Sequence, residues 1–120
     1  EIVICDRFTD STLAYQGYGR SLPLSVVGEA NRAASHNLQP DITFILDISW
    51  EESVKRRNLE NIQKDRMEQE AKDFFGAVRI GYQKIAQNNP ETIILLDGHQ
   101  TIAALEQKIF GLVKNKRAAS

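Results

Sequence analysis

Apolar residues follow two rhythms along this chain. Three short runs are apolar nearly throughout: Ile2-Val3-Ile4, Ile42 to Ile48, and Ile93 to Leu96. Continuous, β-branched runs of that length predict buried strands, the first spanning roughly Glu1 to Cys5. Elsewhere the apolar residues return every three or four positions, which predicts helices. Leu24, Val27, Ala30 and Ala34 do so behind Pro23, a residue suited to a first helical turn, so a helix runs to about His36 before Pro40-Asp41 breaks the chain. Ser49-Trp50-Glu51-Glu52 has capping-box spacing and opens a helix that turns Val54 inward and carries Lys55, Arg56 and Arg57 at its far end. Asn58 to Lys64 shows no clear periodicity and reads as a mobile segment. The clearest helical stripe is Ala71, Phe74, Phe75, Val78, Tyr82, Ile85 and Ala86, stopped by Asn88-Asn89-Pro90. Thr101 caps a last helix with Ile102, Leu105, Ile109 and Leu112 on one face. The polar tail Lys114 to Ser120 is expected to fray.

The order is strand, helix, strand, helix, helix, strand, helix. Alternation of this kind predicts an α/β fold with parallel strands. The length, 120 residues, suits a single domain. A net charge of −1 gives no support to a general nucleic-acid role. The single cysteine, Cys5, argues against a disulfide-stapled secreted domain and reads as a small buried hydrophobe at the end of its strand. No stretch is long or apolar enough to span a membrane, and no signal peptide is visible. His36 and His99 are too isolated in sequence for a metal pair.

Chemistry concentrates after the first apolar run. Cys5-Asp6-Arg7-Phe8-Thr9-Asp10-Ser11-Thr12-Leu13-Ala14-Tyr15-Gln16-Gly17-Tyr18-Gly19-Arg20 brings carboxylates, a guanidinium, hydroxyls, a carboxamide and tyrosines together. It reads as a loop and stands where open α/β sheets bind ligands, past the carboxyl end of a strand. Arginine can grip a phosphate with two parallel hydrogen bonds, and glutamine offers both a donor and an acceptor to a base edge. A second polar cluster is cationic: Lys55, Arg56, Arg57, Lys64 and Arg66 crowd a short region. Without further context such a run reads as a solvated face.

Asp6-Arg7-Phe8, Ser11-Thr12 and Ala14-Tyr15-Gln16-Gly17 match, at the same spacing, the long motif of the bacterial thymidylate kinase family, which phosphorylates dTMP with ATP. Gln39-Pro40-Asp41, Asp65-Arg66-Met67-Glu68 and Asp97-Gly98 agree with further landmarks of that family in the same order. The chain resembles this family over essentially its whole length. No G-x-x-x-x-G-K-[ST] phosphate loop occurs in it. The resemblance therefore implies the C-terminal part of one thymidylate kinase domain, residues 1–120, with a lid at about 56–67. Its fold would be a partial, parallel-sheet P-loop NTPase fold of the nucleoside monophosphate kinase kind, lacking the phosphate-loop strand and its neighbour. The missing strand would leave a gap between this chain's first and second strands, and the chain by itself would be inactive.

The resemblance also assigns roles. It implies that Arg7 contacts the dTMP phosphate, that Thr12 and Gln16 hydrogen-bond thymine with Ser11 beside them, and that Tyr15 lies against the deoxyribose. Glu68 would face the dTMP side of the cleft. Arg56 would pack on adenine, against the Asp97-Gly98 turn. Arg57, Lys64 and Arg66 are candidates for neutralising the transferring phosphoryl group from the lid, whose variable part, Asn-Leu-Glu-Asn-Ile-Gln, is poorer in arginine than is common in bacteria. Asp6 would either help hold the magnesium ion that accompanies ATP or orient Arg7. Each assignment has a plainer alternative: an ion pair for Arg7, turn-stabilising bonds for Ser11 and Gln16, a core aromatic for Tyr15, a dipole-favoured acid for Glu68. Trp50, Phe74, Phe75 and Tyr82 read as core. The family further implies a homodimer, to which the Leu24 to Ala34 helix is a candidate contributor, while composition and charge point to a cytoplasmic enzyme with no nucleic-acid or membrane partner. Two other readings remain: another P-loop nucleotide or deoxynucleoside kinase, opposed by Ala14-Tyr15-Gln16-Gly17, and a truncated, non-catalytic nucleotide-binding paralogue.

Overall fold

A computed structural model describes residues 1–57 and 66–120, the side chains of Arg66 and Met67 excepted. The segment read as mobile, 58–64, and most of the lid region lie outside the described residues. In chain order the elements are α1 (Thr9–Thr12), a π-helix (Leu13–Gly19), α2 (Leu24–Ser35), β1 (Thr43–Asp47), α3 (Trp50–Arg57), α4 (Arg66–Asn88), β2 (Ile93–Asp97) and α5 (Ile102–Ala118). The fold is α/β. β1 and β2 pair in parallel, with Thr43 opposite Ile93 and Asp47 opposite Asp97.

The core forms where α4 crosses the π-helix and the sheet. Ala14, Ile45, Val78, Ile85, Ala86 and Ile93 are its buried members, with Leu13, Tyr15, Tyr18, Phe74 and Tyr82 packed around them. The three-and-four stripe of α4 delivers Val78, Ile85 and Ala86 to that core as its periodicity predicts, while Ala71, at the start of the stripe, is exposed. Gly81 lets the two elements approach: a Cβ there would stand 2.7 Å from the Tyr18 ring.

Cap chemistry sets several boundaries. The Ser49 hydroxyl accepts from Glu52 N at 3.2 Å at the start of α3. Thr101 accepts from Ala104 N at 3.1 Å at the start of α5. Pro23 stands at the N-cap of α2 rather than inside its first turn, and its carbonyl accepts from Val27 N at 3.1 Å. In α3 the residue turned fully inward is Ser53, whereas Val54 is half-buried.

Three expectations are corrected. Glu1 to Cys5 is not a strand: Ile2, Val3 and Ile4 are 58%, 80% and 89% exposed, and Cys5 is exposed as well. Apolar content supplies only one requirement of a strand. Its backbone N–H and C=O groups also need a neighbour, and the two strands of the sheet pair with each other. The Asp10 to Gly19 stretch, read as loop, is helical. The C-terminal tail, expected to fray at Lys114, continues α5 to Ala118 with Lys116 and Arg117 in its last turn, where cations favour the helix dipole.

Candidate functional site

The π-helix builds the first candidate site. Its wider turn, closed by Arg20 N donating to Tyr15 O at 3.0 Å, displaces side chains from the positions an α-helix would give them. α1 presents Ser11, and the π-helix presents Tyr15, against α4. The Tyr15 ring is held on two sides by α4: Phe74 lies at 6.0 Å between centroids and Tyr82 at 6.4 Å, edge-on at 83°. On a further side the Arg7 guanidinium sits 5.4 Å from the Tyr15 centroid, a cation–π contact. The Tyr82 hydroxyl donates to Ser11 Oγ at 2.9 Å.

The backbone delivers Arg7 under constraint. Arg7 adopts φ 66°, in the left-handed region that ordinary side chains avoid. Such a conformation costs on the order of 1–3 kcal/mol and persists where surrounding structure imposes it. Asp10 is half-buried, and that burial pushes its carboxyl above the usual range, partly opposed by a hydrogen bond from Thr43. Burial likewise raises the Tyr82 phenol, with the Ser11 bond acting the other way. Both groups therefore keep their protons more readily than in water.

The structure thus brings Arg7, Ser11 and Tyr15 into one constellation. Gln16 is half-buried, its backbone carbonyl accepting from Leu22 N at 3.0 Å. Thr12 and Asp6 are exposed, and Glu68 is half-buried in the first turn of α4. Tyr82 and Phe74, read from sequence as core, are members of the same aromatic set. The signal for them was the α4 stripe itself, which could not show which core residue reaches the polar segment.

The second candidate site lies past the carboxyl ends of β1 and β2. Arg56 is held between the Glu52 carboxylate (Nε to Oε1, 2.8 Å) and the Gly98 carbonyl (Nη2 to O, 2.6 Å). Its side chain is thereby set against the Asp97-Gly98 turn. Gly98 N donates to Asp47 O at 2.8 Å. A Cβ at Gly98 would come within 2.6 Å of Ile48 Cγ2 and 3.1 Å of Asp47 O, so only glycine fits this turn without a shift. Arg57 instead bonds within its own helix, through Nη2 to Ser53 Oγ and Nε to Ser53 O, with its guanidinium 5.9 Å from the Trp50 centroid. Lys64 lies outside the described residues, and Arg66 opens α4.

His99, isolated in sequence, has close neighbours in space. It lies 2.7 Å from Asp97 Oδ1 through Nδ1 and accepts from Ser49 N at 3.3 Å through Nε2. The pair of contacts fixes the neutral ring as the Nδ1–H tautomer. Hydrogen bonds from the His99 backbone and ring hold the Asp97 carboxyl below its usual range. Among the described residues, no three His, Cys, Asp or Glu side chains stand close enough to cage a metal ion, and no helix is long and apolar enough to cross a membrane.

The family model described as thymidylate kinase matches residues 1–109. The thymidylate kinase of Chlorobaculum parvum is 42% identical over 120 residues, 93% of this chain and 55% of that protein. That of Chlorobaculum tepidum is 43% identical over 119 residues, 92% of this chain and 56% of that protein. The crystal structure of thymidylate kinase from Ehrlichia chaffeensis superposes with a TM-score of 0.56 at 38% identity, covering 80% of this chain and 42% of that one. The chain spans about half the length of the curated relatives it matches.

Proposed function

Since this chain belongs to the thymidylate kinase family, we propose that it supplies the acceptor-side and adenine-side surfaces of an enzyme that transfers the γ-phosphoryl group of ATP to dTMP. The observation that carries the reading is the Arg7 guanidinium stacked on Tyr15 beside Ser11. In this reading Arg7 takes the phosphate of dTMP, Tyr15 packs on the deoxyribose and leaves no room for a 2′-hydroxyl, and Thr12 and Gln16 face the thymine edge. Glu68 lies on the same side of the cleft.

Arg56, anchored on Gly98, offers its guanidinium plane to adenine over the Asp97-Gly98 turn. Phosphoryl transfer is mostly positioning and charge neutralisation, so the remaining demand is for cations around the transferred group. Arg57, Lys64 and Arg66 are the candidates; Arg57 would have to leave its Ser53 contacts to serve. Asp6 fits a magnesium ion of the kind that accompanies ATP. Magnesium favours one or two carboxylates together with water and phosphate oxygens, and an exposed carboxylate beside Arg7 supplies that donor. When bound, the ion would neutralise phosphate charge.

The sequence in hand carries no phosphate loop, whose amides and lysine cradle the donor phosphates. The 120-residue chain alone should therefore not turn over. We further assign the working enzyme to the cytoplasm as a homodimer. α2 exposes Leu24 and Val26 for pairing. A coupled assay with dTMP, ATP and magnesium tests the reading in a full-length protein carrying this chain. Turnover of dTMP supports it. Absence of turnover there sends it back to the non-catalytic alternative, and turnover by the isolated chain at a rate typical of kinases overturns the requirement for a phosphate loop.

A further inference from the structure

We propose that Tyr82 is a positioning residue of the acceptor site: through its hydroxyl bond to Ser11 and its edge contact with Tyr15, it fixes how both residues meet the nucleotide. The proposal rests on the dTMP-site reading above and deepens it.

Tyr82 reaches the site from α4, far along the chain from the segment it organises. Its hydroxyl donates to Ser11 Oγ at 2.9 Å, and its ring meets Tyr15 at 83° with 6.4 Å between centroids. Phase along the helix makes both contacts possible. Phe74, Val78 and Tyr82 recur every four residues, so Tyr82 continues the face whose first member, Phe74, also touches Tyr15.

Two consequences follow for the groups it touches. A serine hydroxyl has one hydrogen and two lone pairs. With one lone pair occupied by the Tyr82 O–H, the Ser11 hydrogen is left to donate elsewhere, and its rotor is no longer free. A bond received also strengthens the bond given. The phenol suits the donor role: a tyrosine hydroxyl is protonated at neutral pH, and burial here only strengthens its hold on the proton. For Tyr15, the Tyr82 edge and the Phe74 ring stop rotation about the side chain, and Arg7 stacks on the ring so held. Arg7 sits on an exposed, backbone-constrained stretch and depends on that platform for its direction.

The test is a double-mutant cycle in the full-length protein, using Tyr82→Phe, Ser11→Ala and the pair. dTMP binding is read by calorimetry, KM for dTMP and for ATP by the coupled assay, and melting temperature alongside. Tyr82→Phe keeps the ring, so folding is preserved. It should weaken dTMP binding by roughly three- to tenfold and raise KM for dTMP while leaving KM for ATP in place, the range expected for loss of one hydrogen bond. Ser11→Ala should do the same, and the pair should lose little more than either alone. Tyr82→Leu, which removes the ring as well, should cost more on the dTMP side. Independent, multiplying effects would overturn the relay through Ser11. Equal losses on dTMP and ATP, or a lower melting temperature with dTMP binding unchanged, would show a core residue only. A wild-type protein that binds no dTMP would overturn the site reading itself and this proposal with it.

Discussion

The Arg79 guanidinium of α4 grips both carboxylate oxygens of Asp47, the last residue of β1, at 2.8 and 3.0 Å. The same Asp47 receives Gly98 N through its carbonyl, so one residue ties the sheet to α4 and to the turn beneath Arg56. Asp47 and Asp97 are also partners in the parallel register, each with its own compensation, Arg79 for one and His99 for the other. Arg79→Met, which keeps the stem and removes the charge, should destabilise the fold. With the two side chains 35% and 20% exposed, solvent screens the pair, so the expected loss is ~1–2 kcal/mol. Denaturant unfolding of the variant against wild type measures it. No change in midpoint would mean that the pair is solvated.

Arg7 allows function and stability to be separated. At φ 66° a glycine costs less than arginine. Arg7→Gly should therefore fold at least as stably as Arg7→Ala. Both should lose dTMP use, by on the order of 2–5 kcal/mol if the guanidinium meets a phosphate, with ATP-analogue binding spared. dTMP kinetics, analogue titration and thermal melts on the two variants decide the point. Loss of both nucleotides together would mean that Arg7 is structural.

Base and sugar choice should fail in different directions. Gln16→Leu should weaken preference for dTMP over dCMP, because a site built to hydrogen-bond discriminates through the partners it leaves unpaired. Tyr15→Ala should mainly raise activity on UMP relative to dUMP. Competition assays with the four nucleotides read both. A proportional loss on every nucleotide would assign the two residues to the fold alone. Tyr15 is the harder case, since its ring also carries Arg7.

Asp10 gives a pH signature with a defined sign. Its folded carboxyl is raised by burial, so the native state holds the proton more tightly than the unfolded chain does. Stability contributed by this group is present below the unfolded value and is lost as pH climbs through the raised folded one. Asp10→Asn keeps an acceptor for Thr43 and removes the charge. Its melting temperature should exceed wild type at neutral pH, and the gap should close as pH falls below the ordinary aspartate range. A gap that widens toward acid would mean that the charged form is the favoured one.

The sequence showed the α/β alternation, β1 and β2, α2, α3, α4 and the cap at Thr101, because each rests on local periodicity or a local hydrogen bond. It overcalled Ile2-Val3-Ile4, since apolar character does not supply a pairing neighbour. It read Asp10 to Gly19 as loop because glycines and polar groups there outweigh a helical stripe. The π-helix has no compositional signature that a short window could hold. Motif residues Arg7, Ser11 and Tyr15 were legible as a group, and the structure brings them together. Tyr82 and His99 were not legible as partners of that chemistry. Their contacts run from Tyr82 to Ser11 and from His99 to Ser49, separations of 71 and 50 residues.

Along an α-helix each residue turns the chain by roughly 100°, and along the wider π-helix by less. The π-helix over Leu13–Gly19 makes that arithmetic matter. Substitutions within it alter one side chain at a time, but a single-residue deletion would reset the phase of everything downstream of the cut. Tyr15 would then leave the Phe74–Tyr82 cleft, or Tyr18 would leave Gly81, because both cannot follow the new pitch. The length of this segment is consequently as much a specification as its spelling, and its tolerance to indels should be far lower than its tolerance to replacement.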